Sequence, residues 1–404
     1  MIQTVSVIGL GYIGLPTAAM LASRKLKVIG VDVNAKAVET INKGQIHIVE
    51  PDLDSLVHAA VTNGYLVARS SPEAADAFMI AVPTPFYDDL SPDLSYVEAA
   101  AKSIAPVLKA GDLVVLESTS PVGTTEAMCR WIKEVRPDLT LPTDSNQPDV
   151  HVAYCPERVL PGKVVLELIS NDRIIGGLTP ACSAKAKELY KTFVQGELLE
   201  TDARTAEMSK LTENSFRDVN IAFANELSLI CDKLNINVWE LIRMANRHPR
   251  VNILTPGAGV GGHCIAVDPW FIVHSAPEQA RLIKMAREVN DSKPEWVIEK
   301  VLSAVAHHPL NQPTVACFGL AFKPDIDDLR ESPALHITNK LAATYKGKVL
   351  AVEPNVETTT KLHADAQLVS IEQGLKADII VVLVKHKAFA ELDFGKSVLI
   401  NVVG

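Results

Sequence analysis

Thr4-Val-Ser-Val-Ile8-Gly9-Leu10-Gly11-Tyr12-Ile13-Gly14-Leu15-Pro16 is the stretch on which the fold turns. Val5–Ile8 is a short apolar run with the character of a buried strand, and Pro16–Arg24 has helical length and pattern. Between them stands Gly-x-Gly-x-x-Gly. Small residues there allow a tight turn and close backbone approach, and the N-terminus of the following helix favours a pyrophosphate. Asp32 ends the next apolar run, Val28–Val31, eighteen residues beyond Gly14. A carboxylate at that distance accepts hydrogen bonds from an adenosine ribose and repels a 2′-phosphate, so the expected cofactor is NAD rather than its phosphorylated form. Gly9, Gly11, Tyr12, Ile13, Gly14 and Asp32 are the first candidate cofactor residues. A structural glycine turn is the plain alternative.

The alternation of strand and helix continues outward to about Ala153. Ala77–Val82 and Leu113–Leu116 are further strand candidates, and Tyr96–Leu108 is helix-length, which together predict a parallel sheet with crossover helices. From about Arg204 to Ala304 the strand signals vanish, and Ala206–Leu234 and Glu278–Val305 carry helical periodicity. Strands return at Thr314–Phe318, Lys348–Val352, Asp378–Val384 and Val398–Val403, after a linker at 307–313. A chain of 404 residues is too long for one core. The expectation is an α/β protein in which two Rossmann-like parallel-sheet domains, 1–203 and 307–404, flank a helical middle domain, 204–306, with a long central helix. The second α/β part is not an obvious sequence repeat of the first.

Composition narrows the function. A net charge of −9 argues against nucleic acid as a partner. No apolar run approaches the roughly 18–20 residues needed to cross a bilayer, and the first residues lack the basic start of a signal peptide. The expected location is the cytoplasm. The six cysteines (129, 155, 182, 231, 264 and 317) are scattered, and the histidines show no ligand spacing. Neither a disulfide framework nor a metal site is expected.

Two loops follow strand ends, where ligands of open α/β sheets lie. Val82-Pro-Thr84-Pro85 and Glu117-Ser-Thr119-Ser-Pro-Val-Gly-Thr124-Thr125 carry hydroxyls and rigid prolines suited to positioning a cofactor, against the alternative of plain proline turns. Further on, Lys210, Asn214 and Arg217 are spaced i, i+4, i+7 and line one helix face. Such stripes are ordinarily solvated, but the apolar flank Val219–Leu227 suggests a buried helix whose polar groups need partners.

Gly257-Ala-Gly-Val-Gly261-Gly262-His263-Cys264-Ile-Ala-Val-Asp268-Pro is the most informative stretch for chemistry. Its glycines let the backbone approach a ligand and present one thiol. An inert buried cysteine is the commoner fate of a lone Cys, but Asp268 and the glycines favour a working one. A thiol beside a nicotinamide has a specific use: an aldehyde captured as a thiohemiacetal still carries a C–H bond, so a second hydride can leave and yield a thioester that water cleaves. Glu157, in Tyr154-Cys-Pro-Glu-Arg158-Val159-Leu-Pro-Gly162, is a candidate acid or base for that last step. Gly319-Leu-Ala-Phe322-Lys323-Pro-Asp-Ile-Asp-Asp-Leu-Arg330-Glu-Ser offers two cations for phosphate or sugar oxygens, or simply a charged surface.

In order along nearly the whole chain, these motifs resemble the UDP-glucose/GDP-mannose dehydrogenase family: Gly-x-Gly-x-x-Gly, Val-x-Thr-Pro, Glu-Ser-Thr-x-Pro-x-Gly, Pro-Glu, Lys-x-x-x-Asn, Gly-Gly-x-Cys-x-x-x-Asp and Phe-Lys-Pro…Asp-x-Arg-Glu-Ser. The resemblance implies four-electron oxidation of a sugar alcohol with NAD. It makes Cys264 the nucleophile and Lys210 the group that stabilises oxyanions. Asn214 and Asp268 would support the water or thiolate, with Glu157 as acid or base. Tyr12, Ile13, Asp32, Thr84, Thr119, Thr125 and Arg330 would touch NAD. Arg158, Val159, Lys210, Asn214, Arg217, His248, Arg250, Gly261, Phe322 and Lys323 would touch a UDP-sugar. A loop like that of His248 and Arg250 can reach a neighbouring subunit's site in this family, which implies a homodimer built on the middle helices.

His263-Cys-Ile-Ala-Val-Asp-Pro269 departs from the Cys-Phe-x-Lys-Asp of the UDP-glucose branch and is similar to the branch acting on 2-acetamido sugars. Within it, the neighbouring motifs point to UDP-N-acetyl-D-mannosamine, precursor of the aminouronic acid of polysaccharides such as enterobacterial common antigen. UDP-N-acetylglucosamine and UDP-glucose are the alternatives. A single-step β-hydroxyacid dehydrogenase would share the Rossmann domain and Lys-x-x-x-Asn but need no thiol. A catalytically silent nucleotide-sugar or NAD sensor would have no use for Cys264, Lys210 and Asp268 together.

Overall fold

A computed structural model describes residues 2–48, 50–160, 162–262 and 264–404. The chain forms two compact units, Met1–Thr212 and Glu213–Gly404. The first is built on a sheet of eight strands: β1 (Thr4–Ile8), β2 (Lys27–Val31), β3 (Leu66–Arg69), β4 (Ala77–Ile80), β5 (Leu113–Leu116), β6 (His151–Tyr154), β7 (Arg173–Gly177) and β8 (Leu198–Asp202). Their order is β3-β2-β1-β4-β5-β6-β7-β8. β1 pairs with β2 on one side and β4 on the other, both parallel, which places the Gly9 turn near the middle of the sheet. Leu113 and Val115 point into one apolar cluster, Val114 and Leu116 into another. That period of two, with both faces buried, is why the strands read as unbroken apolar runs.

The parallel-sheet expectation holds with one local exception: β6 and β7 pair antiparallel while β7 and β8 pair parallel. The strand pair at that edge is reversed, and Arg173 at its start is fully buried. The charged and partly exposed residues of β7 and β8 hide the strands from a reading that looks for apolar runs.

The second unit has a five-stranded parallel sheet of β9 (Val315–Phe318), β10 (Val349–Val352), β11 (Ala366–Leu368), β12 (Ile379–Val382) and β13 (Val398–Asn401), in the order β11-β10-β9-β12-β13. This order matches β3-β2-β1-β4-β5, and the turns match as well. Gly9 (φ +91°) donates its N–H to Val31 O at 2.8 Å, and Gly319 (φ +94°) donates to Val352 O at 2.8 Å. Leu10 N–H then reaches Asp32 Oδ2 and Leu320 N–H reaches Glu353 Oε2, each at 2.8 Å. The two units share one strand–turn device although little beyond Gly-Leu repeats in sequence.

Between Ala203 and His307 the described residues form helices and no strand: Ala203–Leu234, Val238–Ala245, Asp268–Ser275 and Arg281–His307. The 32-residue first helix is long enough, at 1.5 Å per residue, to span about 48 Å. No helix of the described residues is long and apolar enough to cross a membrane.

Candidate active site

The turn after β1 is shaped by what its glycines meet. A Cβ on Gly9 would lie 2.6 Å from Ala81 O, and one on Gly14 would lie 1.7 Å from Gly9 O, so side chains are excluded at both. At Gly11 an added Cβ would have nothing within 4 Å. Its glycine leaves room above the N-terminus of helix Gly14–Ser23, whose first turn carries no acidic residue. Asp32 Oδ2 accepts from Leu10 N–H and Oδ1 accepts from Asn34 N–H, both at 2.8 Å. Each oxygen keeps a lone pair for ribose hydroxyls. Tyr12 is exposed and Ile13 is half-buried at the helix start. These residues fit a dinucleotide: open space at Gly11, a helix N-terminus with no acidic residue in its first turn, and a pre-aimed carboxylate.

Two neighbouring loops are tied together. Thr84 Oγ1 donates to Thr119 O at 2.6 Å, and Ser118 Oγ donates to Val82 O at 2.7 Å. Thr84 and Thr119 are half-buried. Thr125 is different. It is fully buried, and both its N–H and its hydroxyl donate to Glu207 Oε1, at 2.8 and 2.6 Å. Gly123 N–H donates to Glu207 Oε2 at 2.6 Å. Glu207 therefore caps helix Thr124–Val135 from across the unit, and Thr125 is buried in that contact. Burial raises the Glu207 pKa, while the Thr125 hydroxyl and the two backbone N–H groups pull it back. Nothing local in the sequence marks Glu207, since a lone glutamate in a helix is ordinarily solvated.

Glu157 follows β6 and is buried. Its Oε2 pairs with Arg173 Nη1 at 2.9 Å, and its Oε1 accepts from Arg158 N–H at 2.6 Å. Close by, Tyr190 Oη donates to Glu117 Oε1 at 2.6 Å. Burial, with Glu157 adding repulsion, pushes the Glu117 pKa up to about 7, against the pull of Arg173. At the far end of the same loop, Glu50 accepts from Gly162 N–H at 2.8 Å and Val164 N–H at 2.7 Å. Arg158 and Val159 lie half-buried between these clamps. The loop is thus held by Arg173 and Glu50, neither of which stands near a motif.

Lys210 and Asn214 are one turn apart on helix Ala203–Leu234, both buried. Lys210 makes no hydrogen bond or ion pair among the described residues. A buried ammonium without a partner is costly, so a ligand oxygen is the natural complement. Arg217, further along the same face, is exposed.

In the second unit, Asn214 Nδ2 donates to Asp268 Oδ2 at 2.5 Å. Asp268 opens helix Asp268–Ser275, and its N–H donates to Cys264 O at 2.9 Å. Cys264 is exposed and the other five cysteines are buried. Three of the preceding glycines admit the close approach of protein. A Cβ on Gly259 would meet Pro333 at 2.9 Å, on Gly261 Glu331 O at 2.4 Å, and on Gly262 the Phe322 ring at 3.0 Å. The structure thus brings Gly261, Phe322 and the Cys264 loop together. His263, which helped to set the substrate branch, lies outside the described residues.

His248 and Arg250 are exposed on a loop closed by Asn246, whose side chain pairs with Ile253 N–H at 2.7 Å and Ile253 O at 3.0 Å. Lys323 is exposed. Arg330 is exposed too and grips Asp328 with Nε and Nη2. The loop carrying Phe322 and Lys323 is anchored from below, where Asp325 N–H donates to His386 Nδ1 at 2.9 Å and His386 Nε2 faces Glu353 Oε2 at 3.1 Å. Among the described residues no cluster of three or more His, Cys, Asp or Glu side chains is arranged to hold a metal.

Comparison with known proteins finds three successive matches to the UDP-glucose/GDP-mannose dehydrogenase family: its NAD binding domain at residues 3–194, its central domain at 204–292 and its UDP binding domain at 316–400. A UDP-N-acetyl-D-mannosamine dehydrogenase of Yersinia pestis is 65% identical over 396 residues, 96% of this chain and 94% of that protein. An NDP-N-acetyl-D-galactosaminuronic acid dehydrogenase of Ralstonia solanacearum is 62% identical, over 97% of this chain and 92% of that protein. Among solved structures, a UDP-N-acetyl-mannosamine dehydrogenase from Staphylococcus aureus superposes with a TM-score of 0.87 at 42% identity, covering 99% of this chain and 98% of that one.

Proposed function

The chain belongs to the UDP-glucose/GDP-mannose dehydrogenase family of NAD-dependent enzymes, and from that premise we propose that it oxidises the C6 alcohol of UDP-N-acetyl-D-mannosamine to the carboxylate. The observation that carries this reading is Cys264, the one exposed thiol among the six cysteines, on a loop tied to Asn214 and Asp268. One-step dehydrogenases have no use for it.

Bound NAD⁺ supplies the hydride acceptor for each of the two oxidations. Asp32 would hold the adenosine ribose, and the Gly9–Gly14 turn, with Tyr12 and Ile13, would hold the pyrophosphate. Thr84 and Thr119 would act as further cofactor contacts on the loops beside that turn, and Arg330 is proposed as another. After the first oxidation, the Cys264 thiolate adds to the aldehyde carbon. Lys210 stabilises the resulting oxyanion, a role that suits a buried ammonium. Loss of the second hydride leaves a thioester. Water attacks the acyl carbon, the C–S bond breaks, and the thiolate of Cys264 is restored. Glu157 takes the water's proton, and Asn214 and Asp268 order the group that reacts. The balance is one alcohol, two NAD⁺ and one water giving one carboxylate, two NADH and three protons. Arg158, Val159, Arg217, His248, Arg250, Gly261, Phe322 and Lys323 hold the UDP-sugar.

The three-domain division at 1–203, 204–306 and 307–404 follows the helical stretch between the sheets. A homodimer on the middle helices is supported by Phe216, Phe223 and Ile230, at seven-residue spacing on helix Ala203–Leu234 and 68%, 52% and 46% exposed. Apolar residues at that spacing form a helix–helix seam. The location is the cytoplasm, where the nucleotide sugar and NAD occur together.

The Ralstonia relative favours a second reading, in which another acetamido epimer is used. NADH release measured with UDP-N-acetylmannosamine, UDP-N-acetylglucosamine, UDP-N-acetylgalactosamine and UDP-glucose separates them. Preference for N-acetylmannosamine supports the proposal, and preference for UDP-glucose overturns the branch assignment.

A further inference from the structure

Within the second unit, a line of fully buried polar side chains ends at the loop that presents Cys264. Arg287 Nη1 donates to Asp218 Oδ1 at 2.6 Å. Asn290 Nδ2 donates to the same Oδ1 at 2.8 Å and to Asp218 O at 3.1 Å. Asn225 Nδ2 donates to Asn290 Oδ1 at 2.9 Å, and Asn225 Oδ1 accepts from Gly257 N–H at 2.9 Å. Asp218, Asn225, Asn290 and Arg287 are each at most 1% exposed.

The line has a direction. A carboxylate only accepts hydrogen bonds, so Asp218 turns the NH₂ of Asn290 towards itself. Asn290 must then offer its oxygen to Asn225, and Asn225 must offer its own oxygen outward. What stands there is a backbone N–H, that of Gly257. Arg287 fixes the carboxylate at the other end, and its Nη2 is held in turn by Asp291.

Asn214, Asp218 and Asn225 fall on one face of helix Ala203–Leu234, since eleven residues make very nearly three turns. Asn214 binds Asp268 just after Cys264, while Asn225 binds Gly257 at the loop's start. The two anchors are about 16 Å apart along the helix axis. Between them the loop lies against Pro333, Glu331 and Phe322.

We infer that Asn225 is a positioning residue for the Cys264 loop, oriented by Asp218 through Asn290 and acting through the N–H of Gly257. This rests on the reading of Cys264 as the nucleophile. Asn225 touches neither substrate nor cofactor. It sets where the thiol stands when the aldehyde forms, so its loss affects capture of the aldehyde more than the oxidation that makes it.

The test uses the full chain with Asn225→Ala, Asn225→Asp and the isosteric Asp218→Asn. Two readouts are taken: NADH formed per sugar consumed with hydroxylamine present to trap aldehyde, and the iodoacetamide alkylation rate of Cys264 identified by peptide mapping. Asn225→Ala is expected to lower carboxylate formation roughly 10- to 100-fold, as small misplacements of a reacting group do. Its NADH yield should fall from two towards one with aldehyde trapped, and its alkylation rate should change. Asn225→Asp keeps an acceptor for Gly257 and should restore much of the yield; Asp218→Asn should shift both readouts less than the alanine variant. A merely structural role lowers turnover without changing the yield per sugar or the alkylation rate. If the folded variants show that pattern, the inference is overturned. A wild-type protein giving one NADH per sugar overturns the nucleophile reading instead, and the alkylation rates still decide whether Asn225 positions the loop.

Discussion

Replacing Glu207 by alanine removes the acceptor of three hydrogen bonds at the start of helix Thr124–Val135: Gly123 N–H, Thr125 N–H and Thr125 Oγ1. Bonds to a charged acceptor contribute about 1.5–3 kcal/mol each, so the gross loss is roughly 4–9 kcal/mol. Relief of the buried carboxylate's desolvation, the same effect that raises its pKa, offsets part of this. The expected net loss is about 3–5 kcal/mol, the range seen when one side of a buried charged cluster is emptied. Glu207→Gln should lose roughly half as much, because one amide oxygen can still accept while its NH₂ meets a second donor. Chemical denaturation followed by circular dichroism gives the total. Amide hydrogen exchange at Gly123 and Thr125 reports the local effect without assuming two-state unfolding. Because the loop also carries Thr119, the KM for NAD should rise in the same variants. Wild-type protection at those amides in Glu207→Ala, with stability within about 0.5 kcal/mol, would refute the capping argument.

Asp32→Asn should raise the KM for NAD by roughly tenfold and narrow the preference over NADP, measured as the ratio of kcat/KM for the two cofactors. Glu117 has a folded pKa of about 7 against 4.5 unfolded, so it holds a proton in the folded state that the unfolded chain releases. Its contribution to stability is complete below pH 4.5 and is lost as pH rises through 7, about 3 kcal/mol in all. The stability difference between wild type and Glu117→Gln should therefore decline across that window; a flat difference contradicts it. If the proposed homodimer forms, wild type should sediment as a dimer and Phe223→Glu as a monomer in analytical ultracentrifugation; a profile unchanged by the substitution counts against the seam on helix Ala203–Leu234.

Much of the architecture was legible because its causes are local. Val5–Ile8 and Leu113–Leu116 are apolar runs with both faces buried, and Gly9 and Gly14 sit where any side chain would strike backbone oxygen. The reversed pair β7 and β8 was not, since both strands carry charge and β8 is largely exposed. Residues that hold the candidate site in place were also hidden. Glu50, Arg173, Glu207 and Asn225 find partners 112, 16, 84 and 32 residues away. A buried polar residue looks like a solvated one until its distant partner is known. The glycines before Cys264 show the complementary difficulty: composition pointed to a close approach but not to its partners, Pro333, Glu331 and Phe322.

The most direct test of the account is the stoichiometry of the reaction at Cys264. Purified protein given limiting UDP-N-acetyl-D-mannosamine and excess NAD⁺ should form two NADH per sugar and a uronic acid by mass spectrometry, and Cys264→Ala should form no acid. One NADH per sugar, or acid from the alanine variant, contradicts a covalent four-electron oxidation.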